Sequence, residues 1–334
     1  MIKVGIIGLG GMGGTHANAY KNLGDKVKVT AVADVSENKR NKYVEMFGAK
    51  AYDDGFSLIE NADVDYVDIC LPTFLHTKHA VKAMEKGLNV FMEKPVCLNE
   101  DEAKLLLETE KKTGARVQIG QVIRFWTEYV YLKSLVDSGK YGKIISGVFT
   151  RLSGNPRWGF ENWYNDPEKS GTMGLDLHIH DVDFIRYIMG NPKEIQSNCT
   201  RDAEGVLQQI FTTYKYDDAV ITAEGCWDFP DRYPFSSAYR VKFEKATVVY
   251  SGKTVVYLED GTNFEPNFAE EINGDTAEGL NVTNLGGYFA ELEYYADHLE
   301  SGEPLKVAPL NEAIESVRMA WKEIELCGGK VRKN

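Results

Sequence analysis

Ile2-Lys3-Val4-Gly5-Ile6-Ile7-Gly8-Leu9-Gly10-Gly11-Met12-Gly13 is the stretch on which the fold turns. Ile2 to Ile7 is a β-branched run, too short for a helix and bounded by glycine, so it predicts a buried strand. A helix is expected directly after it, through about Leu23. The glycines between them form GxGxxG in strand–turn–helix context. Gly8 permits the tight turn, Gly10 lets backbone approach a pyrophosphate, and Gly13 lets the helix pack close to the sheet. Gly11 and Met12 begin the helix, whose unpaired N–H groups and partial positive charge suit that pyrophosphate.

The next strand, Lys28 to Ala33, ends in Asp34, 21 residues past Gly13. A carboxylate there can accept hydrogen bonds from both ribose hydroxyls of an adenosine half, and it repels a 2′-phosphate. NAD is therefore expected in preference to NADP. The competing reading of Asp34, or of Ser36, is a simple cap on the following helix.

Alternation continues downstream. Helices are expected over Ser36–Phe47, Leu75–Lys86 and Asn99–Thr113, and strands over Val64–Cys70, Leu88–Glu93 and Arg116–Gly120. This pattern predicts an α/β Rossmann dinucleotide-binding domain with a parallel doubly wound sheet, whose ligands sit at the C-terminal strand ends. Two stretches fall at such ends: Leu71-Pro72-Thr73-Phe74-Leu75-His76 and Glu93-Lys94-Pro95. Lys94 is held by the strand before it and by Pro95, which fixes its own φ. His76 either lines the nicotinamide pocket or caps a helix.

Gln121 to Trp126 marks a crossover, which divides the chain into residues 1–122 and 123–334. After a helix near Tyr129–Asp137 and a strand to about Arg151, Glu194 to Glu259 reads as strands without intervening helices. Asp217-Asp218 and Ser251-Gly252-Lys253 are hairpin-like turns. Helices near Leu285–Leu299 and Asn311–Leu326 follow, and Asn263–Glu278 reads as a polar loop. The second domain is thus expected to be α+β, with a large, mostly antiparallel, open-faced sheet.

Inside it lie two chemically rich stretches. Pro156-Arg157-Trp158-Gly159-Phe160-Glu161-Asn162-Trp163-Tyr164-Asn165-Asp166 mixes aromatics with polar groups. That suits the C–H faces and hydroxyls of a sugar or polyol, or else packs a domain interface. Gly171 to Asp183 reads as a helix on which Asp176 and His180 share a face and Asp183 continues the stripe. A carboxylate, an imidazole and a second carboxylate form a candidate proton-transfer unit, set against the plainer reading of a solvated polar face.

Composition narrows the partners. A net charge of −12 over 334 residues disfavours nucleic acid and acidic membrane surfaces. No apolar run approaches the roughly 20 residues that span a bilayer. The five cysteines are far apart and none sits in a CxxC pair, so free thiols in a reducing cytoplasm are expected rather than disulfides or zinc. His178 points away from His180 on a helix, and no metal site is expected.

The ordered set of N-terminal GxGxxG, acid after the second strand, Pro-Thr…His, Glu-Lys-Pro and Gly-x-x-Gly-x-Asp-x-x-x-His-x-x-Asp resembles the Gfo/Idh/MocA (glucose–fructose oxidoreductase / inositol dehydrogenase) family over essentially the whole chain. The resemblance implies an NAD(P)-dependent dehydrogenase acting on a secondary alcohol of a sugar, inositol or related polyol. It implies a catalytic set of Lys94, Asp176 and His180. His180 would be the base, with an ordinary pKa of about 6.5; Lys94 would stabilise the alkoxide, and Asp176 would position the substrate or the lysine. Asp183 could orient the imidazole. Pro72, Thr73, His76, Glu93 and Lys94 would border the cofactor, and Arg124, Arg157 and Trp163 would join the catalytic set around the substrate. Arg124 is equally readable as a surface salt-bridge residue. The family similarly uses its open sheet to build homodimers or homotetramers. This chain lacks the proline that often follows the Arg-Phe segment, and carries His178 where the family often has glycine. A non-catalytic NAD-binding sensor of the same fold and a transhydrogenase-like enzyme that retains its cofactor are the alternatives. The sequence does not identify the substrate.

Overall fold

Strands of the first sheet are apolar along their length because helices cover both faces, leaving no polar side to present. The computed structural model describes residues 1–157, 159–268, 276 and 284–331. Trp158 and most of the expected Asn263–Glu278 loop lie outside the described residues.

The first sheet contains β1 (Ile2–Ile7), β2 (Val27–Ala33), β3 (Lys50–Tyr52), β4 (Tyr66–Ile69), β5 (Asn89–Glu93) and β6 (Val117–Gly120). All neighbours are parallel, in the order β3-β2-β1-β4-β5-β6. That is the doubly wound order with its switch point between β1 and β4, where β1 and β4 end at the glycine turn and at Cys70. Helices α1 (Gly11–Asn22), α2 (Glu37–Phe47), α3 (Gly55–Asn61), α4 (His76–Glu85) and α5 (Glu100–Thr113) connect the strands. Val4, Ile6, Val32, Val67, Ile69, Phe91 and Ile119 are wholly buried between the layers, each worth about 1.5–3 kcal/mol of burial. Asn99 caps α5 by accepting the Glu102 N–H at 2.9 Å, and Gly114 ends it in the left-handed region.

The chain continues through α6 (Thr127–Ser138), β7 (Ile144–Gly154), α7 (Pro167–Ser170), α8 (Thr172–Asp176) and α9 (Ile179–Met189). Strands β8 (Glu194–Arg201), β9 (Leu207–Lys215), β10 (Val220–Phe229), β11 (Ser236–Phe243), β12 (Ala246–Ser251), β13 (Thr254–Leu258) and β14 (Asn263–Phe264) follow. With β7 they form an eight-stranded sheet ordered β14-β13-β12-β11-β7-β10-β9-β8. Every pairing in it is antiparallel except β7 with β10. One face is covered by helices. Alternation along β9 buries Ile210, Thr212 and Tyr214 and leaves Phe211 exposed on the other face.

Two helices end the chain: α10 (Gly286–Ser301) and α11 (Leu310–Leu326). The division at 122/123 needs amendment in its later part. One compact unit holds residues 1–125 with the described part of 271–314, and the other holds residues 126–270 and 315–333 as far as they are described. The reason is α10, which belongs to the first unit by its contacts. Lys26 pairs with Glu293 at 2.8 Å and Asp297 at 3.0 Å, Tyr295 donates to Arg116 O at 2.8 Å, and the Tyr295 ring meets Tyr66 edge-on at 5.2 Å.

Candidate active site

The turn after β1 is built around three glycines with different jobs. Gly8 has φ +92°, and a side chain there would strike Cys70 O at 2.6 Å. Gly13 has no room either, since a Cβ would lie 1.8 Å from Gly8 O. Gly10 is different: among the described residues nothing lies within 4 Å of where its Cβ would be. Among the described residues no side chain caps α1, and its first turn holds no acid, which leaves the N–H groups of Gly11, half-buried Met12 and Gly13 without intrahelical partners beside that position. Backbone donors at an uncapped helix start, beside a position kept bare for no protein reason, fit a dinucleotide pyrophosphate.

Asp34 is placed at the edge of this cradle by two backbone donors. Leu9 N–H donates to Oδ2 at 2.7 Å and Ser36 N–H to Oδ1 at 2.8 Å. Each oxygen keeps a further lone pair for a ribose hydroxyl. The guanidinium of Arg40 lies nearby but is committed, donating to Asp34 O at 2.7 Å and pairing with Asp53 at 2.8 Å.

At the ends of β4 and β5 the chain forms two loops joined by one ring. His76 is fully buried; its Nδ1 is 2.9 Å from Pro95 O and its Nε2 2.7 Å from Leu71 O. Burial pushes its pKa down to about 4 against the pull of these two carbonyls, so the ring is neutral and donates to one of them. The helix-cap reading holds at the backbone: His76 is the first residue of α4 and closes the preceding 3₁₀ turn, its N–H donating to Thr73 O. His76 also ties the Leu71-Pro72-Thr73 loop to the Lys94-Pro95 loop. Thr73 is buried and opens a short 3₁₀ turn to Leu75. Lys94 is half-buried directly after Glu93, and its N–H donates to Glu93 Oε2 at 3.2 Å.

In the second unit, the single helix expected from Gly171 to Asp183 is two. Gly171 and Thr172 both lie in the left-handed region (φ +72° and +59°), and α8 ends at Asp176. His178 N–H then reaches back five residues to Met173 O at 2.9 Å before α9 begins. The extra residue in that ring is a π-type irregularity, which separates Asp176 at the end of α8 from His180 in the first turn of α9. Both residues are half-buried. The neighbours of His180 fix α9 firmly. Asp181 and Arg151 on β7 form a fully buried bidentate pair (2.8 and 3.2 Å), with Tyr129 OH 3.3 Å from Arg151. Asp183 is buried and accepts from Ser316 Oγ on α11 at 2.7 Å.

His178 faces the core. Its Nε2 lies 2.8 Å from Glu323, which also accepts from Thr212 Oγ1 at 2.9 Å and Tyr214 OH at 2.7 Å. Gly225 makes room for the ring, since a Cβ there would sit 2.9 Å from Nδ1.

The remaining sequence candidates are placed as follows. Arg124 is 3% exposed in a 3₁₀ turn, which removes the surface salt-bridge reading. Arg157 is exposed and 3.9 Å from exposed Asp231, a pair that contributes little. Trp163 stacks on Tyr164 at 4.1 Å, and Asn155 and Asn165 bind each other twice (2.9 and 3.0 Å) to brace that segment. Glu161 and Asn162 are left-handed (φ +51° and +53°), a strained pair of the kind that clusters at functional segments.

Sequence reasoning missed His16, Asp68 and Glu291. His16 Nδ1 is 2.9 Å from Asp68 Oδ2 and its Nε2 3.1 Å from Glu93 Oε1, all of them buried. The signal was available: Asp68 interrupts a strand buried on both faces, and such a carboxylate requires a partner.

Residues 2–121 match a family model described as "Oxidoreductase family, NAD-binding Rossmann fold", and residues 129–249 match the GFO/IDH/MocA C-terminal domain. The chain is 33% identical over 225 residues to scyllo-inositol 2-dehydrogenase (NAD(+)) of Bacillus subtilis, covering 65% of this chain. That match spans 64% of the Bacillus relative, just under two thirds of its length. Against myo-inositol 2-dehydrogenase of Thermotoga maritima the identity is 28% over 319 residues, covering 92% and 91% of the two chains. A structure of levoglucosan dehydrogenase in complex with NADH and levoglucosan gives a TM-score of 0.83 at 19% identity, over 98% and 97% of the chains, and speaks to the fold alone.

Proposed function

We propose that this chain, which belongs to the GFO/IDH/MocA oxidoreductase family, moves a hydride between NAD and a secondary alcohol of an inositol, sugar or related polyol. The observation that carries the reading is the uncapped start of α1 beside Gly10, with Asp34 oriented by two backbone N–H groups at its edge. The inositol 2-dehydrogenases among its relatives support the substrate class.

Oxidising a secondary alcohol requires a hydride acceptor, a base for the hydroxyl proton and a group that stabilises the developing alkoxide. Bound nicotinamide supplies the hydride acceptor. His180 takes the hydroxyl proton, its helix anchored by Asp181 to Arg151 and by Asp183 to Ser316. Lys94 hydrogen-bonds the reacting oxygen and stabilises its charge, held from the protein side by Glu93 and by the His76 bridge. Asp176 positions the substrate or the lysine; Arg124, Arg157 and Trp163 complete the substrate surroundings. In the first unit Gly8, Gly10, Gly11, Met12, Gly13, Asp34, Pro72, Thr73 and Glu93 hold or border the cofactor.

Asp34 favours NAD over NADP, and Arg40 is already spent on Asp53 and Asp34 O. The second unit serves as the substrate-binding and oligomerisation domain. Its open sheet face, where Phe211 and Tyr257 are exposed, joins copies into a homodimer or homotetramer. No described helix is long and apolar enough to cross a membrane, and all five cysteines are free, in keeping with a reducing cytoplasm. Alanine at Lys94 or at His180 tests the mechanism: turnover is lost while NADH binding persists. Full activity in either variant removes that residue from the reaction.

A further inference from the structure

Two carboxylates meet in the interior of the first unit without enough donors to serve them. Glu93 ends β5 at 4% exposure, and Glu291 on α10 is fully buried. One side-chain nitrogen or oxygen from each of His16, Glu93 and Glu291 falls within 4.8 Å of the others. His16 is engaged on its far side, Nδ1 to Asp68 at 2.9 Å, and Asp68 also accepts from Tyr20 OH at 2.9 Å and from the Cys70 thiol at 3.3 Å. Around Glu291 stand Tyr288, whose ring is 6.1 Å from His16, and Gln118, whose Nε2 donates to the Glu291 backbone carbonyl at 3.4 Å. Neither carboxyl oxygen of Glu291, nor Oε1 of Glu93, has an aligned hydrogen-bond donor among the described protein groups.

Charge bookkeeping decides what this requires. With Asp68, Glu93 and Glu291 all ionised, a cationic His16 would leave two uncompensated negative charges in a buried cluster, which burial does not tolerate. Burial works against the charge on His16, but Asp68 outweighs it and keeps the imidazolium. A proton on one carboxyl group removes one of the two charges, and the Tyr20 hydroxyl and Cys70 thiol donate to Asp68 against the other. Burial first, then repulsion by Glu93, push Glu291 well above the usual carboxylate range.

We propose that Glu291 is held as a neutral carboxylic acid that shares its proton with Glu93, and that Asp68–His16–Glu93–Glu291 is the buried support fixing the end of β5 at Lys94. The support reaches Lys94 through the Glu93 carboxylate, which accepts the Lys94 N–H at 3.2 Å. Glu291 is thus a positioning residue, and only the kinetic arm of its test rests on the dehydrogenase reading above.

The sign of the pH effect follows from linkage. Unfolded, Glu291 ionises at the ordinary glutamate pKa; folded, it keeps its proton to higher pH. Between those values the folded state binds more protons, so stability falls as pH rises through that window. Glu291→Gln supplies a neutral donor of the same shape and removes that contribution to the slope.

Infrared difference spectroscopy on the full-length protein, with stability measured across pH, tests this. A protonated-carboxyl carbonyl band is expected at neutral pH in the native-minus-Glu291→Gln difference spectrum, which cancels the contribution of Glu110, raised to about 7 by burial. The Gln variant keeps kcat within about threefold, because the amide replaces the acid donor. Glu291→Leu loses about tenfold or more in kcat while NADH affinity is largely kept. If the Leu variant does not fold, the band and the pH slope of the Gln variant still decide. No such band in that difference spectrum overturns the proposal. So does one equivalent of divalent metal in the purified protein that disappears in Glu291→Gln, which would put a cation where the proton is assigned. Loss of the band in a protein with no dehydrogenase turnover would instead count against the activity and leave the shared proton standing.

Discussion

Asp34 Oδ2 accepts the backbone N–H of Leu9 at 2.7 Å, so the acid that ends β2 also pins the glycine turn that follows β1. One carboxylate therefore shapes the cradle and offers its remaining lone pairs to a ribose. The two readings of Asp34, ribose acceptor and cap, are not exclusive, since Oδ1 meets the Ser36 N–H at the start of α2 while Oδ2 serves the turn.

Asp34→Ala should weaken NAD binding by about tenfold to a hundredfold, the size of a lost charged hydrogen bond. NADP binding should fall less or rise, because the repulsion toward a 2′-phosphate goes with the carboxylate. Fluorescence titration with both cofactors measures the ratio. An unchanged NAD/NADP ratio would show that Asp34 serves the turn alone.

Gly120 on β6 lies against Glu93, where a Cβ would stand 2.9 Å from Oε1. Gly120→Ala should push that carboxyl off His16 and cost about 1–3 kcal/mol, the usual range for overpacking. Chemical denaturation reads the stability and steady-state kinetics the site. Native stability and native kcat together would show that Glu93 yields freely.

Asp181→Asn removes the charge opposite Arg151 in a place where neither partner reaches water. Breaking such a pair from one side costs about 3–5 kcal/mol. Replacing both, Arg151→Met with Asp181→Leu, should recover much of that loss. A double variant as unstable as the single one would mean that the pair is required as an ion pair.

The fold was legible in the sequence where burial covers both sides of an element. The apolar runs at β1, β2, β4, β5 and β6 read directly as parallel strands. β3, three residues with Lys50 and Ala51 exposed, was not foreseen, because so short an edge strand carries no period. The break between α8 and α9 was hidden for a related reason. Ile179, Val182, Ile185, Ile188 and Met189, whose spacing predicts the helix, all lie in α9 and say nothing of what precedes it. His178 reads in the sequence only as a departure from the family's glycine; its partner Glu323 is 145 residues away, a pairing that local pattern does not contain. The cofactor cradle could be read because its parts are contiguous in the chain. For the His16–Asp68–Glu93–Glu291 cluster only Asp68, an acid inside a buried strand, signals that a partner exists; which residues supply it is not local, because four separate elements do.

The most direct test of the account is NAD reduction by the purified protein across a panel of inositols, polyols and sugars, followed as NADH formation and repeated with NADP. NAD-linked turnover is expected with at least one secondary alcohol of the panel, weaker with NADP and abolished in Lys94→Ala. Stoichiometric NAD binding with no hydride transfer to or from any member would contradict it and identify a sensor on the same fold.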